Sequence, residues 1–268
     1  MSDNTTQQES NKGVRLSYEK NIAFITLCRP EKGNALDGEL LDHVRLLFEE
    51  ADQNDSIRAV ILQAEGKNFC TGADLSWMLA SEGRDMEKES IRLAHLMKAV
   101  ATCSKPTIAI VQGSVYGGGI GLTAACDFAI ATKDAIFAFR EVRLGLVPAT
   151  ISPYIIRKIG PMKTMQFMLT GRRFPATEAA QIGLIDDIAR TAPPIEKAMQ
   201  IIEKLTMGGS EAQHSIKQMI NHLYPLPDEN TIKYTAAVLA RARSSAETAE
   251  GIKAFFEKRK PDWSKLKP

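Results

Sequence analysis

The chain has 268 residues, of which 44% are apolar and 25% are charged, so it can build one large hydrophobic core and is not a disordered chain. Its 34 basic and 32 acidic residues nearly balance, and the one basic block is the final EKRKPDWSKLKP, so the charge pattern favours neither a nucleic-acid nor a membrane partner. The four cysteines and four histidines have neither CxxC nor HExxH spacing, so we expect buried reduced thiols and no metal site.

Residues 1–13 are polar and contain neither an apolar signal segment nor an Arg-rich amphipathic pattern. They predict a disordered leader on a cytoplasmic protein. The uncharged run from Pro106 to Cys126 is long enough to suggest a membrane span. Its interior Gln112, Ser114 and glycines favour a buried strand, a turn and a short helix instead.

The elements predicted up to about residue 190 alternate between strands and helices. VRLSYEKNIAFITLC predicts a β-hairpin, and Asp37 predicts the N-cap of the helix that follows. AVILQAE predicts a buried strand, GKNFCTGADL a turn that opens a short helix, and Asp85 to Cys103 a longer helix. KPTIAIVQG predicts a second buried strand, followed by a helix GLTAAC and by paired strands DFAIAT and AIFAF. This order predicts an α/β domain.

The predicted elements are helical after residue 192, and one more helix and strand precede that boundary. PATEAAQIG predicts a helix and LIDDIA a short strand, and then Pro193 and Pro194 mark a boundary. From Ile195 to Arg259 the periodicity is helical throughout. The sequence therefore predicts a core over 14–192 and a helical region over 193–268.

Two segments run from a buried strand into a glycine turn that opens a helix: VILQAEGKNFCTGADLSWM and TIAIVQGSVYGGGIGLTAA. Such turns can present unpaired backbone N–H groups, and a helix N-terminus favours negative charge. Two converging N–H groups would form an oxyanion hole. A dinucleotide-binding loop, with Glu141 as its acidic residue, and simple close packing of helix on strand remain alternatives.

The motifs NFCTGADL, KPTIAIVQGSVYGGGIGL, CDFAIATKDAIFAFREVRLGLVP, LTGRRFPATEAAQIGLID and EGIKAFFEKRKPDW resemble the successive signatures of the enoyl-CoA hydratase/isomerase, or crotonase, superfamily. The resemblance extends from about residue 14 to 263. It implies an α/β spiral of ββα turns with a helical C-terminal trimerisation region, assembled as a homotrimer or a dimer of trimers. It further implies an acyl-CoA substrate and no cofactor.

The resemblance also assigns roles to individual residues. The N–H groups of Ala73 and Gly118 would bind the thioester oxygen, where enolate charge develops. The tail would reach a neighbouring subunit and contribute Phe255 or Phe256 and Lys258. The residues expected to contact CoA are Arg29, Lys32, Ala35, Leu36, Gly72, Asp74, Leu75, Gly117, Phe256 and Lys258.

The sequence departs from the hydratases of this family at one important position. Those enzymes use two glutamates, the first two residues after the glycine triplet and the second twenty residues further on. Here Gly121 occupies the first position and Glu141 the second. We therefore expect the catalytic set to comprise Glu141, Ala73, Gly118 and Gly121, with Glu141 as the principal acid/base and Gly121 marking a change in the site.

The stretch EVRLGLVPATISPYIIRKIG resembles the bacterial 3-methylglutaconyl-CoA hydratases of leucine degradation. Single-glutamate isomerisation, another reaction of the superfamily such as decarboxylation, and acyl-CoA binding without turnover remain open. A methylglutaconyl group carries a distal carboxylate, which calls for cations or hydroxyls. The candidate cations are Arg140, Arg143 and Arg157, and the hydroxyl groups that could order water are those of Tyr116, Ser152 and Tyr154.

Overall fold

The computed structural model describes residues 6–7, 12–80 and 85–265. The strands are β1 (Thr6–Gln7), β2 (Val14–Glu19), β3 (Ile22–Leu27), β4 (Ala59–Ala64), β5 (Thr107–Val111), β6 (Ser114–Tyr116), β7 (Phe128–Thr132), β8 (Ile136–Ala138), β9 (Arg173–Pro175) and β10 (Asp187–Ala189). The helices are α1 (Gly38–Gln53), α2 (Leu75–Ala80), α3 (Met86–Thr102), α4 (Gly118–Ala125), α5 (Ser152–Thr170), α6 (Ala176–Gln181), α7 (Pro194–Thr206), α8 (Ser210–Leu223), α9 (Glu229–Arg243) and α10 (Ala246–Phe256). Short 3₁₀ turns cover Pro30–Lys32, Glu141–Leu144 and Trp263–Lys265.

The strands form two sheets between which the chain passes repeatedly. The larger sheet has the order β1-β2-β3-β4-β5-β7-β10 and is parallel from β3 to β10, and the smaller has the order β6-β8-β9. The chain moves from β5 to β6 and then forms α4, and it moves from β7 to β8 before α5. This repetition confirms the predicted spiral of ββα turns.

Several local predictions are confirmed. β2 and β3 pair as an antiparallel hairpin. The Asp37 side chain accepts a hydrogen bond from the Leu40 N–H at the start of α1, and Asp85 caps α3 in the same way. Of the predicted disordered leader, Thr6–Gln7 form a strand that pairs with β2, and most of the remainder lies outside the described residues.

Two local predictions are wrong. The strands DFAIAT and AIFAF do not pair, because a turn between them, in which the Ala135 N–H donates to the Thr132 carbonyl at 3.1 Å, directs β8 into the smaller sheet. The helix predicted from Gly121 begins at Gly118, because the glycine triplet supplies its first turn.

The larger sheet packs against other elements on both faces, and this explains why the sequence of β4 is almost entirely apolar. Alternate residues point to opposite sides of a strand. Val60 therefore packs in the main core with α1 and α3, while Ile61 packs against Ala198 and Ile202 of α7. Cys70, Cys103 and Cys126 are buried free thiols.

The C-terminal helices fold back onto the rest of their own chain. α7 packs on the larger sheet, α9 on α3, and α10 on the Glu141–Leu144 turn. No helix within the described ranges is both long and apolar enough to cross a membrane.

Candidate active site

The two glycine turns lie side by side. Cys70 and Val115 form a parallel bridge, in which the Cys70 N–H donates to the Ser114 carbonyl and the Tyr116 N–H donates to the Cys70 carbonyl. Gly72 has a φ of +95°, and a Cβ on it would lie 3.3 Å from the Tyr116 carbonyl oxygen. Glycine is needed there for its backbone conformation and for the approach of the second turn.

The first turn presents the N–H of Ala73. Ala73 forms a parallel bridge with Leu36, in which the Leu36 N–H donates to the Gly72 carbonyl and the Asp74 N–H donates to the Leu36 carbonyl, both at 2.8 Å. A parallel bridge of this kind uses the groups of the flanking residues and leaves those of the central residue unused. Within the described chain the Ala73 N–H donates no hydrogen bond, so it is available to a ligand.

The second turn presents the N–H of Gly118. Gly118 is the first residue of α4, so its N–H has no partner within the helix, and the helix N-terminus favours negative charge. Gly117 precedes it with a φ of +47°, a conformation that favours glycine. Ala73 and Gly118 both line the same cavity, as predicted.

This cavity has a volume of about 710 Å³, in the range of small-molecule sites. Its walls come from both glycine turns, the loop after β3, the Glu141–Leu144 turn and helices α2, α3, α9 and α10. Of the predicted site residues, those that line it are Lys32, Ala35, Leu36, Gly72, Ala73, Asp74, Leu75, Gly117, Gly118, Glu141 and Phe256.

The carboxyl group of Glu141 lies against the second glycine turn. A Cβ on Gly117 would be 2.7 Å from Glu141 Oε1. The other carboxyl oxygen, Oε2, is buried and has no hydrogen-bond partner in the described part of the chain. Burial raises the pKa of Glu141 to about 7. A carboxyl group with this pKa can accept and return a proton near neutral pH.

Helix α10 holds the turn that carries Glu141. Gly145 ends this turn with a φ of +69°, and a Cβ on it would lie 2.4 Å from the Glu247 carbonyl carbon. On the opposing surface, a Cβ on Gly251 would lie 2.5 Å from the Leu144 carbonyl carbon. The two backbones therefore touch, and glycine on each side permits it.

Gly121 does not line the cavity. A Cβ on it would lie 2.4 Å from Ile151 Cγ2 and 3.1 Å from Met97 Sδ. Ile151 thus occupies the space beside this position, where the family resemblance places a first glutamate. Gly121 is a packing residue in this chain, and the expectation that it belongs to the catalytic set is wrong.

Arg29 is also placed outside the cavity lining. Its guanidinium donates to the Asp37 carboxylate and lies 3.5 Å from Asp74 Oδ2. Asp74, which does line the cavity, accepts hydrogen bonds from the N–H groups of Ser76 and Trp77 at the start of α2. Arg29 and Asp74 therefore hold the loop and the first glycine turn together.

The tail lines the cavity of its own chain, in contrast to the expectation that it serves a neighbouring subunit. Phe255 and Phe256 border the cavity and pack edge to face, with their ring centroids 5.6 Å apart. Lys258 does not line it, whereas Arg259 and Lys260 do. The tail therefore forms part of the cavity wall, and the contact of Lys258 with CoA remains a prediction.

The arginines predicted to bind a distal carboxylate and the hydroxyl residues predicted to order water differ in whether they line the cavity. Arg140, Arg143 and Tyr116 line the cavity, and the Arg140 guanidinium carbon lies 5.6 Å from the Tyr116 ring centroid. Arg157 donates to Asn221 Oδ1 at the end of α8, and Ser152 donates to the Pro148 carbonyl. Arg157, Ser152 and Tyr154 are not among the lining residues.

Sequence reasoning missed several lining residues. Trp77 and Thr150 lie within the quoted stretches VILQAEGKNFCTGADLSWM and EVRLGLVPATISPYIIRKIG but were given no role in the site. The others belong to no motif: Glu89, Ser90, Leu239 and Arg243. These four reach the cavity because α3 and α9 pack on each other, which local periodicity does not reveal.

Comparison with known proteins adds to this geometry. Residues 17–266 match the family model described as enoyl-CoA hydratase/isomerase. A crystal structure of an enoyl-CoA hydratase from Shewanella pealeana is 36% identical, with a TM-score of 0.76, and covers 94% of this chain and 96% of its own. A crystal structure of an enoyl-CoA hydratase from Bacillus halodurans is 26% identical, with a TM-score of 0.82, and covers 90% of this chain and 99% of its own. Enoyl-CoA hydratase AKT6-1 of Alternaria alternata is 28% identical over 263 residues, 91% of this chain and 87% of that protein.

Proposed function

The chain belongs to the enoyl-CoA hydratase/isomerase family, and from this premise we propose that it adds water across the 2,3-double bond of a 2-enoyl-CoA thioester. The observation that carries this proposal is the position of the Glu141 carboxyl group against Gly117. It lies beside the free N–H groups of Ala73 and Gly118. A thioester oxygen bound by both N–H groups would place its α and β carbons within reach of that carboxyl group.

The chemistry follows from these groups. The Glu141 carboxylate takes a proton from water as the water oxygen bonds to C3, and the electrons of the double bond move onto the thioester oxygen. The N–H groups of Ala73 and Gly118 stabilise this enolate, and one such donor can be worth about 3 to 4 kcal/mol. Glu141 then gives its proton to C2, so one water is consumed and the carboxylate is regenerated.

Thr150 supplies a polar group for the water, in place of a second carboxylate. It is 2% exposed and lines the cavity, and its hydroxyl makes no hydrogen bond within the described residues. Its neighbour Ile151 packs on Gly121, which lies one helical turn beyond Gly117 on the same face of α4. The Thr150 hydroxyl and the Glu141 carboxyl group would thus hold the attacking water between them.

The CoA part would lie along the exposed rim. Lys32 is exposed there and is available to a phosphate, although it lies 3.4 Å from Asp74 Oδ2. Phe255 and Phe256 are partly exposed apolar surfaces of the same rim, and Lys260 adds a cation. Because hydration transfers no electrons, the proposed reaction needs no redox cofactor.

As the finer assignment, we propose 3-methylglutaconyl-CoA as the substrate, in leucine degradation in the cytoplasm. The resemblance of PATISPYI to the corresponding hydratases supports it. So does the basic lining of the cavity, which would attract a second carboxylate.

We also propose that the protein is a homotrimer or a dimer of trimers. α8 exposes an apolar stripe at the i, i+3, i+4 and i+7 positions, formed by Ile216, Met219, Ile220 and Leu223. An apolar face of this kind is typical of a helix that packs on another subunit.

Double-bond isomerisation is the second candidate, and the packing of Ile151 on Gly121 favours it. One carboxyl group suffices to move a proton from C2 to C4 or back. Purified protein should be incubated with 3-methylglutaconyl-CoA and, separately, with a 3-enoyl-CoA, and the products identified by mass spectrometry. A 3-hydroxyacyl-CoA product supports hydration. Formation of a 2-enoyl-CoA without gain of water would overturn it, and binding without turnover would indicate an acyl-CoA binding protein.

A further inference from the structure

Arg243, the last residue of α9, brings an uncompensated cation to the cavity. Its guanidinium carbon lies 5.5 Å from the centroid of the Trp77 ring, and the residue lines the cavity. Nη2 is buried without a hydrogen-bond partner. The side chain as a whole makes no hydrogen bond and no ion pair within the described residues.

Arg243 is partly buried, and a buried guanidinium nitrogen such as Nη2 is costly without a hydrogen bond, because its hydration is lost and no protein group replaces it. Glu89 is the nearby group that favours its charge, but Glu89 Oε2 lies 3.3 Å from Arg92 Nη1 and makes no hydrogen bond to Arg243. The planar fork of Arg243 is therefore open to a ligand, and this fork matches the two oxygens of a carboxylate.

The side chains around Arg243 are those expected where the acyl chain of a substrate would end. Leu239, one helical turn earlier on α9, packs with the buried Met78, Leu146 and Ile252. Leu239, Met78 and Leu146 line the cavity and form an apolar surface suited to a short carbon chain. The exposed cations of the rim, Lys32 and Lys260, belong to other segments. Arg243 is thus a partly buried cation beside apolar side chains, a setting that suits the end of an acyl chain better than a CoA phosphate.

We propose that Arg243 determines acyl specificity by binding a carboxylate at the distal end of the acyl chain. The protein would then prefer a carboxylated acyl-CoA over an uncharged one with the same carbon branching. This deepens the proposed function, since the reacting carbons would lie between the oxyanion hole and Arg243. The selectivity is nevertheless measurable as binding, without turnover.

The test uses two unreactive thioesters that differ in the carboxylate, 3-methylglutaryl-CoA and isovaleryl-CoA, with binding measured by calorimetry. We expect the unmodified protein to bind the first more tightly. Arg243→Gln should weaken its binding about 10- to 100-fold, the range for a lost hydrogen bond to a charged group, and should change isovaleryl-CoA binding less than about threefold. Arg243→Lys should keep part of the preference.

Two control variants sharpen the result. Arg241→Gln changes an exposed arginine on the same helix that does not line the cavity, and it should affect neither ligand. Arg140→Gln removes the other half-buried cation of the lining. Equal weakening of both ligands by Arg243→Gln would indicate a CoA contact and overturn the proposal. Selective loss in Arg140→Gln with Arg243→Gln unchanged would overturn it as well.

The acyl selectivity assigned to Arg243 and the proposed hydration can be tested independently. Retained selectivity in a protein that hydrates neither 3-methylglutaconyl-CoA nor 3-methylcrotonyl-CoA would refute the proposed hydration while supporting the role of Arg243. Hydration of both substrates at rates that do not respond to Arg243→Gln would refute the role of Arg243 alone.

Discussion

Replacing Glu141 with Gln should stabilise the protein at alkaline pH while removing its activity. Burial raises the pKa of Glu141 to about 7 from an ordinary value of 4.5. At about 1.36 kcal/mol for each pH unit, this difference corresponds to a cost of about 3 kcal/mol for holding the ionised group in the folded state. The figure is an upper limit, because the group borders an open cavity.

The sign of the effect follows from proton binding. The folded protein holds the Glu141 proton more tightly than the unfolded chain does, so this contribution to stability is present below pH 4.5 and is lost as the pH rises to about 7. Glutamine is neutral throughout. The advantage of Glu141→Gln should therefore be about 1 kcal/mol at pH 5.5 and approach about 3 kcal/mol at pH 8.5.

Differential scanning calorimetry of both proteins across this pH range measures the effect. A gain of about 3 kcal/mol corresponds to a rise in Tm on the order of 6 to 10 °C for a chain of this size. The kcat should fall at least about 100-fold, since the acid/base group is lost. Glu203→Gln on the exposed surface of α7 is the control and should change neither quantity. Equal melting temperatures at every pH would refute the inferred burial of the carboxyl group, and full activity would refute its catalytic role.

Three further outcomes are expected. The kcat/KM should rise about tenfold for each pH unit below about 7 and level off above it, because the carboxylate form of Glu141 is the base; a flat profile from pH 5.5 to 8.5 would contradict this. Thr150→Val keeps the shape of the side chain and removes the hydroxyl, so the hydration kcat should fall about 5- to 10-fold with an unchanged Tm; unaltered kcat would remove Thr150 from the water site. Gly121→Ala should cost about 1 to 3 kcal/mol in a denaturant titration, because the new Cβ overlaps Ile151 Cγ2. The double variant Gly121→Ala, Ile151→Ala should lose less than the sum of the single changes, and strict additivity would show that the two residues do not compete for space.

The two glycine turns were predictable because their design is local. Each glycine turn follows a buried strand and precedes a helix, and that order can be read directly from the letters around Gly72 and Gly118. Glu141 was found through the family resemblance, and the structure adds what the sequence could not show, namely that its Oε2 has no partner in the described chain. Whether a buried oxygen has a hydrogen-bond partner depends on how distant segments pack, so the local sequence carries no sign of it.

The features that the sequence did not predict all depend on contacts between distant parts of the chain. Whether β7 and β8 pair depends on which sheet accepts β8, and this is settled by β6 and β9 from other parts of the chain. Arg243 was missed because its helix reads as an ordinary amphipathic segment, and only the contact of α9 with α3 turns that arginine into a cavity residue. The position of the tail likewise depends on backbone contacts between segments far apart in the chain, in which Gly145 lies against Glu247 and Gly251 lies against Leu144.

The contact between α10 and the Glu141–Leu144 turn also affects how the protein matures. During synthesis the strands and glycine turns emerge from the ribosome well before residues 246–256, so the two turns can pair early. The turn that carries Glu141 then lacks the helix against which Gly145 rests, and the cavity lacks the wall formed by Phe255 and Phe256. A nascent chain can therefore pair its glycine turns first, and Glu141 takes its final position only after α10 has been made.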